Sequence, residues 1–284
     1  MDPISYQSHP SLSRPVLIAA FQGWTDAGDA ASTAVRHLEK AWNATRYASI
    51  DPEEFYDFTV RRPRVKLVDG HIRRIEWPSN TFSHARLPGA DRDVILFSGE
   101  EPSTRWRTFS SAVVDLATRD GTELVITMGA MLSPIPHTWP VPVTATSNDP
   151  QLASTLGFSR SRYEGPTGIV GVLHDAFQSM HIPTASLWAQ VPVYLQNNPS
   201  PKAALELVRR LGRLLGAQVD TDDLEQDAAR YEEEVSEAVQ ADPDILAQVA
   251  ELEREASEAA GEIPSGDELA AELERYLKDL RGES

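Results

Sequence analysis

Four short apolar runs fix most of what this chain can become. They are Pro15–Phe21, Asp93–Gly99, Glu123–Gly129 and Ala185–Val191. Each is too short for a stable helix, and none alternates strictly with polar residues. That combination describes strands buried on both faces. Amphipathic helices lie between and after the runs. Ala27, Ala30, Ala31, Ala34, Val35 and Leu38 recur at helical spacing after the first run, and Arg36, Glu39 and Lys40 fall outside the stripe. Trp106, Phe109, Val113 and Leu116 mark a second helix, and Ile169, Leu173, Phe177 and Met180 another. A helix is expected to start near Asp149-Pro150, where Asp caps and Pro takes the first helical position. Pro201 opens the last helix of the series, which Gly216 ends. Residues 46–60 and 71–77 read as further strands around a polar loop that contains Asp69-Gly70, and 143–146 as a short one. The expectation is an α/β core over residues 1–216, with a mixed, largely parallel sheet flanked by helices.

Residues 217–284 form a second region, an acidic helical extension. They hold 5 Lys+Arg against 22 Asp+Glu, and so carry the entire net charge of −17. Leu224, Ala228, Tyr231, Val235 and Val239 make one helical stripe, and Asp242-Pro243 restarts the helix. Ser265-x-x-Glu268 is a capping box for a third helix, with Leu269, Leu273, Tyr276, Leu277 and Leu280 on one face. These stripes need a cover: the core, a second tail or a partner. The acidic field disfavours nucleic acid and anionic membrane as partners. No apolar stretch is long enough to span a membrane, and Met1-Asp2-Pro3-Ile4-Ser5 lacks the pattern of a secretory signal. With no cysteine the chain has no disulfide and no thiolate. A cytoplasmic protein is expected.

Ligands of open α/β sheets bind beyond the carboxyl ends of the strands, so the residues there are the candidates for a site. After the first run, Gly23, Trp24 and Asp26 form a turn into a helix, where Trp24 would stack on a planar group and Asp26 would accept its hydrogen bonds. The plainer account is a glycine turn with an aspartate cap. Gly165, Thr167 and Gly168 open a helix with no acid until Asp175, and Arg160 and Arg162 lie just upstream, which suits an anion. Tight turning and close helix packing explain the same glycines. Glu100, Glu101 and Arg105 follow the second run, where acid–base work competes with helix capping and surface exposure. His137 sits in a Pro-stiffened loop and is the histidine of first interest. No histidine pair has the helical spacing of a zinc protease, and neither a Walker loop nor a Gly-x-Ser-x-Gly elbow occurs. No metal or cofactor is expected.

Gln22-Gly23-Trp24-Thr25-Asp26-Ala27-Gly28 after an apolar strand resembles the opening of the proteasome-assembly-chaperone-two family. Tyr163-Glu164-Gly165-Pro166-Thr167-Gly168 leading into a helix is similar to the same family. So is Pro183-Thr184-Ala185-Ser186-Leu187-Trp188-Ala189-Gln190-Val191-Pro192, followed by Pro201-Lys202-Ala203-Ala204. The resemblance covers roughly residues 14–216 and implies a fold related to purine nucleoside phosphorylases. It also implies a homo-oligomer, a trimer among the forms to expect, and proteasome subunits as partners. Some relatives dock through a C-terminal hydrophobic-Tyr-any-residue ending. Here the sequence closes Leu280-Arg281-Gly282-Glu283-Ser284, so that docking route is not expected. Two readings follow. One is a non-enzymatic interaction or assembly factor. The other is a small-molecule binder or an enzyme of nucleoside phosphorylase or hydrolase type, using the strand-end crevice.

Overall fold

The computed structural model describes residues 3–68, 71–147, 149–156, 158 and 163–261. The chain begins with β1 (Ile4–Tyr6), β2 (Val16–Gln22), α1 (Ala30–Ala41) and β3 (Thr45–Ile50). Four strands follow, β4 (Arg64–Val68), β5 (Ile72–Glu76), β6 (Asn80–Arg86) and β7 (Asp93–Glu100), and then α2 (Trp106–Arg119). After β8 (Leu124–Ser133) and β9 (Val143–Ser147) come α3 (Pro150–Leu156), α4 (Ile169–Ser179) and β10 (Thr184–Pro192). Three helices close the described chain: α5 (Pro201–Leu215), α6 (Asp222–Ala241) and α7 (Pro243–Gly261).

Eight strands make one sheet in the order β1-β3-β6-β7-β2-β8-β10-β9. The four apolar runs are its centre. β7, β2, β8 and β10 run parallel to one another, with antiparallel strands on both sides. Helices cover both faces, which is why these runs are apolar without alternation. Val16, Ile18 and Ala20 face α1 and α5, and Leu17, Ala19 and Phe21 face α2 and α4. α1 presents alanines to the sheet, so its backbone can lie close. α5 is set at both ends by its own sequence. Ser200 accepts the Ala203 N–H, and Gly216 adopts the left-handed conformation (φ 61°) that stops the helix.

The acidic extension packs on its own chain. Leu224 and Ala228 of α6 join the core beneath α1 and α5. Further along, Val235, Val239 and Val249 close a smaller cluster on Leu195. The third helix expected over Ser265–Leu280 lies outside the described residues, as do Asp69-Gly70.

Three local readings change. The expected strand at 46–60 ends at Ile50, because Asp51-Pro52 starts a 3-10 turn capped by the Asp51 carboxylate (3.0 Å to the Glu53 N–H). The stretch read as a polar loop contains β4, which pairs with β5 as a separate two-stranded hairpin. Residues 80–86 form β6, a strand the sequence pattern did not reveal, since Asn80, Ser83 and His84 interrupt its apolar residues.

Candidate functional site

A cavity of about 920 Å³ opens where β2 ends, between the face of α4 and the strands β8, β9 and β10. The chain leaves β2 through Gly23, whose φ of 140° a side chain rarely adopts, and Trp24 is left 65% exposed at the rim. The next residues continue the sheet, since Thr25 O accepts the Ala130 N–H at 2.9 Å. On the far wall Trp188 lies flat against Gly129. A Cβ at Gly129 would sit 2.7 Å from the indole, so glycine there is what admits the ring.

Asp26 is committed to structure. Its Oδ1 accepts the N–H groups of Ala31 (2.7 Å) and Ser32 (3.3 Å), which caps α1. Oδ2 is buried with no partner at normal geometry. The Ser32 hydroxyl beside it donates instead to Asp29 O at 3.2 Å and offers a weak second interaction at most. Burial dominates these helix contacts and pushes the carboxyl up to about 6.

The start of α4 was expected to suit an anion, and its anion is the protein's own. Glu101 Oε1 accepts the Ile169 N–H at 2.8 Å, and its Oε2 lies 3.4 Å from the Trp24 N–H. Glu101 thus joins the 23–25 turn to the 165–168 loop. Gly168 makes room for it, since a Cβ there would stand 2.7 Å from Glu101 Oε1. Among the described lining residues no lysine or arginine faces the cavity, whereas Asp26, Asp29 and Asp175 do. Arg160 and Arg162 lie outside the described residues.

The polar floor was not anticipated. Thr127 Oγ1 lies 2.8 Å from Ser186 Oγ and 2.9 Å from His174 Nε2, and Ser186 Oγ is 3.2 Å from the same nitrogen. Burial lowers the His174 pKa to about 4, so the ring is neutral at physiological pH. A signal for this cluster exists in the sequence. Thr127 and Ser186 are hydroxyl residues within buried apolar runs, and they are neighbours in the β8–β10 register.

The candidates divide. Gly23, Trp24, Asp26, Thr167 and Gly168 border the cavity, and Gly165 does not line it, although Tyr163 and Pro166 on either side of it do. Glu100 and Arg105 do not line it. Glu100 pairs with Arg61, and Arg105 with Glu54. His137 is 4% exposed and serves elsewhere, holding the extension to the core. Its ring meets Tyr194 Oη (2.8 Å) and Ser236 Oγ (3.1 Å), and its carbonyl oxygen accepts from Lys202 Nζ (2.6 Å). Burial, reinforced by the Lys202 charge, lowers the pKa of this ring. Among the described residues no three His, Asp or Glu gather as a metal set, and no helix is long and apolar enough to cross a membrane.

The model of the PAC2 family matches residues 20–239. The fold is similar to the crystal structure of a PAC2 family protein from Streptomyces avermitilis, at 44% identity and a TM-score of 0.76, covering 83% of this chain and 99% of that one. It is also similar to a proteasome-assembly chaperone homologue from Mycobacterium tuberculosis, at 42% identity and a TM-score of 0.74, covering 82% and 99%. A Mycobacterium tuberculosis protein of unknown function is 28% identical with a TM-score of 0.83, covering 91% and 92%. Among curated proteins none matches.

Proposed function

The chain belongs to the PAC2 family, and from that membership we propose that it is a non-enzymatic interaction factor acting in the assembly of proteasome components. The observation that carries this reading is the 42% identity, over 82% of the chain, to the Mycobacterium tuberculosis proteasome-assembly chaperone homologue. The same reading takes the protein to be a cytoplasmic homo-oligomer, a trimer among its forms, with a core akin to purine nucleoside phosphorylases. Its acidic extension, docked on the core through α6 and α7, offers a partner a fixed negative surface. The test mixes purified proteasome α and β subunits of the source organism with the full-length chain. Co-elution with a subunit and faster appearance of assembled particles are expected. The absence of both binding and any change in assembly rate would overturn the reading.

The cavity favours a second reading, a small-ligand site. Its volume of about 920 Å³ falls in the range of ligand pockets. Trp24 and Trp188 offer ring faces, and Ser186 and His174 offer polar contacts. With the start of α4 filled by Glu101 and acids on the walls, the ligand would be neutral or cationic rather than phosphorylated. A thermal-shift screen should find stabilisation by neutral or amine-bearing ring compounds that Trp24→Ala abolishes. Stabilisation confined to phosphorylated compounds, or indifferent to Trp24→Ala, would refute it.

A further inference from the structure

The β4–β5 hairpin stands apart from the eight-stranded sheet, and no residue of either strand is buried. An isolated two-stranded hairpin is marginal in water unless something packs on it. Its two faces differ. Residues paired across the strands share a face, and alternate residues lie on opposite faces. Val65, Leu67, Arg73 and Ile75 therefore point one way, and Arg64, Lys66, Arg74 and Glu76 the other, where Val68 and Ile72 form the pair at the turn end. Val65 and Leu67 are each 61% exposed and Ile75 59%, an uncovered apolar strip on the outer surface. Trp77 continues it at 49% exposure, anchored on one edge by the Phe58 ring at 4.8 Å.

The hairpin is also basic in a strongly acidic protein. Residues 60–77 hold 6 Lys+Arg and 2 Asp+Glu, a net charge of +4 in a chain of −17. Lys66 pairs with Glu76 and Arg61 with Glu100. Arg62, Arg64, Arg73 and Arg74 have no ion-pair partner among the described residues. The complementary surface belongs to the same sequence. On α6 and α7, Glu233, Glu234, Glu237, Asp244 and Glu255 are exposed and enter no ion pair among the described residues. Leu246, 44% exposed, adds an apolar contact two residues from Asp244.

We propose that the β4–β5 hairpin docks on the acidic α6–α7 surface of a second copy of this chain. The contact is heterologous, with each copy giving its hairpin to one neighbour and its acidic helices to the other. Repeated about an axis, such a contact closes into a ring. The apolar strip supplies the buried centre and the arginines supply register and orientation. This inference rests on the homo-oligomer reading above and names its surface.

Light scattering on the full-length chain tests it with two independent handles. Arg73→Glu with Arg74→Glu reverses the charge, and Leu67→Asp spoils the apolar strip. All three positions are exposed, so the melting temperature should stay near that of the wild type. Both variants should fall from the oligomer mass to the monomer mass. A chain carrying the Arg73→Glu and Arg74→Glu pair together with Glu233→Arg, Glu234→Arg and Glu237→Arg should re-associate. An oligomer unmoved by either variant overturns this surface and leaves the homo-oligomer standing. A monomeric wild type overturns both. Hairpin-dependent sedimentation with phosphatidylserine vesicles, without self-association, also overturns the proposal and assigns the hairpin to a lipid surface.

Discussion

Asp26 makes a pH-dependent claim with a definite sign. Its carboxyl caps α1 through two N–H groups, which favour the charged form, but burial at 6% exposure outweighs them and raises the pKa from 3.8 to about 6. A group bound more tightly to its proton in the fold than in the unfolded chain stabilises the protein below its unfolded pKa. That contribution is lost as pH rises through the folded value. At about 1.4 kcal/mol per pH unit, the full loss between pH 3.8 and about 6 is on the order of 3 kcal/mol. Asp26→Asn keeps an oxygen for the Ala31 and Ser32 N–H groups and cannot ionise. Urea unfolding of both proteins from about pH 4 to about pH 8 isolates the effect, because every other titrating group cancels in the difference. The wild type should lose about 2.5 kcal/mol relative to Asp26→Asn across that window, the remainder lying below about pH 4. A difference that stays flat with pH would refute the reasoning, since it would mean that the helix N–H groups hold the charge as well as water does.

Other consequences are as direct. His174 is held neutral by burial, so its share of stability is present above pH 6.5 and lost as pH falls toward 4. Its imidazole resonances should titrate near pH 4, and a midpoint at 6.5 or above would contradict the buried cluster with Thr127 and Ser186. Gly168→Ala places a Cβ 2.7 Å from Glu101 Oε1 and 2.9 Å from Thr25 Cγ2. It should cost about 1–3 kcal/mol by overpacking, read as a lower denaturant midpoint, and an unchanged midpoint would show that Glu101 is free to move. Lys202→Ala removes the 2.6 Å bond to His137 O and the ion pair to Glu232. With the Lys202 side chain only 16% exposed, a loss of about 1–3 kcal/mol and faster proteolysis within α6 and α7 are expected, and unchanged cleavage would place the hold elsewhere.

The centre of the sheet was legible because burial on both faces leaves one composition available to a strand. Val16–Phe21 is buried throughout and has no room for polar alternation. The rim strands were harder. β6 mixes Asn80, Ser83 and His84 with Phe82 and Ala85, and its identity as a strand comes from pairing with β3 and β7 rather than from its own pattern. β4 carries Arg64, Lys66 and an exposed Leu67, and reads as a loop until β5 is set beside it. The start of α5 needed no tertiary information, because Ser200 and Pro201 state it locally.

The site shows the same division at finer grain. Position was partly legible: the turn at Gly23–Asp26 follows β2 and borders the cavity as a strand end should, and the loop ending at Gly168, which leads into α4 rather than following a strand, borders it too. Chemistry was not, because it depends on partners far apart in the chain. The Gly165–Gly168 loop looks like an anion site in isolation, yet Glu101, 68 residues away from Ile169, already fills the start of α4. That contact reverses the electrostatic demand of the cavity. A helix start that would have attracted phosphate is neutralised, and Asp29 and Asp175 remain without a facing cation among the described lining residues. His137 misleads in the opposite way. Its loop looked able to present a side chain to a ligand, but Tyr194 and Ser236 take both ring nitrogens and turn the residue into a clamp for the acidic extension. Glu101 and His137, both candidates from the sequence, thus do mechanical work, one locking two loops together and the other fixing α6. Ser186 and His174 remain on the cavity lining, with Thr127 buried behind them, and Trp24 stays exposed at the rim.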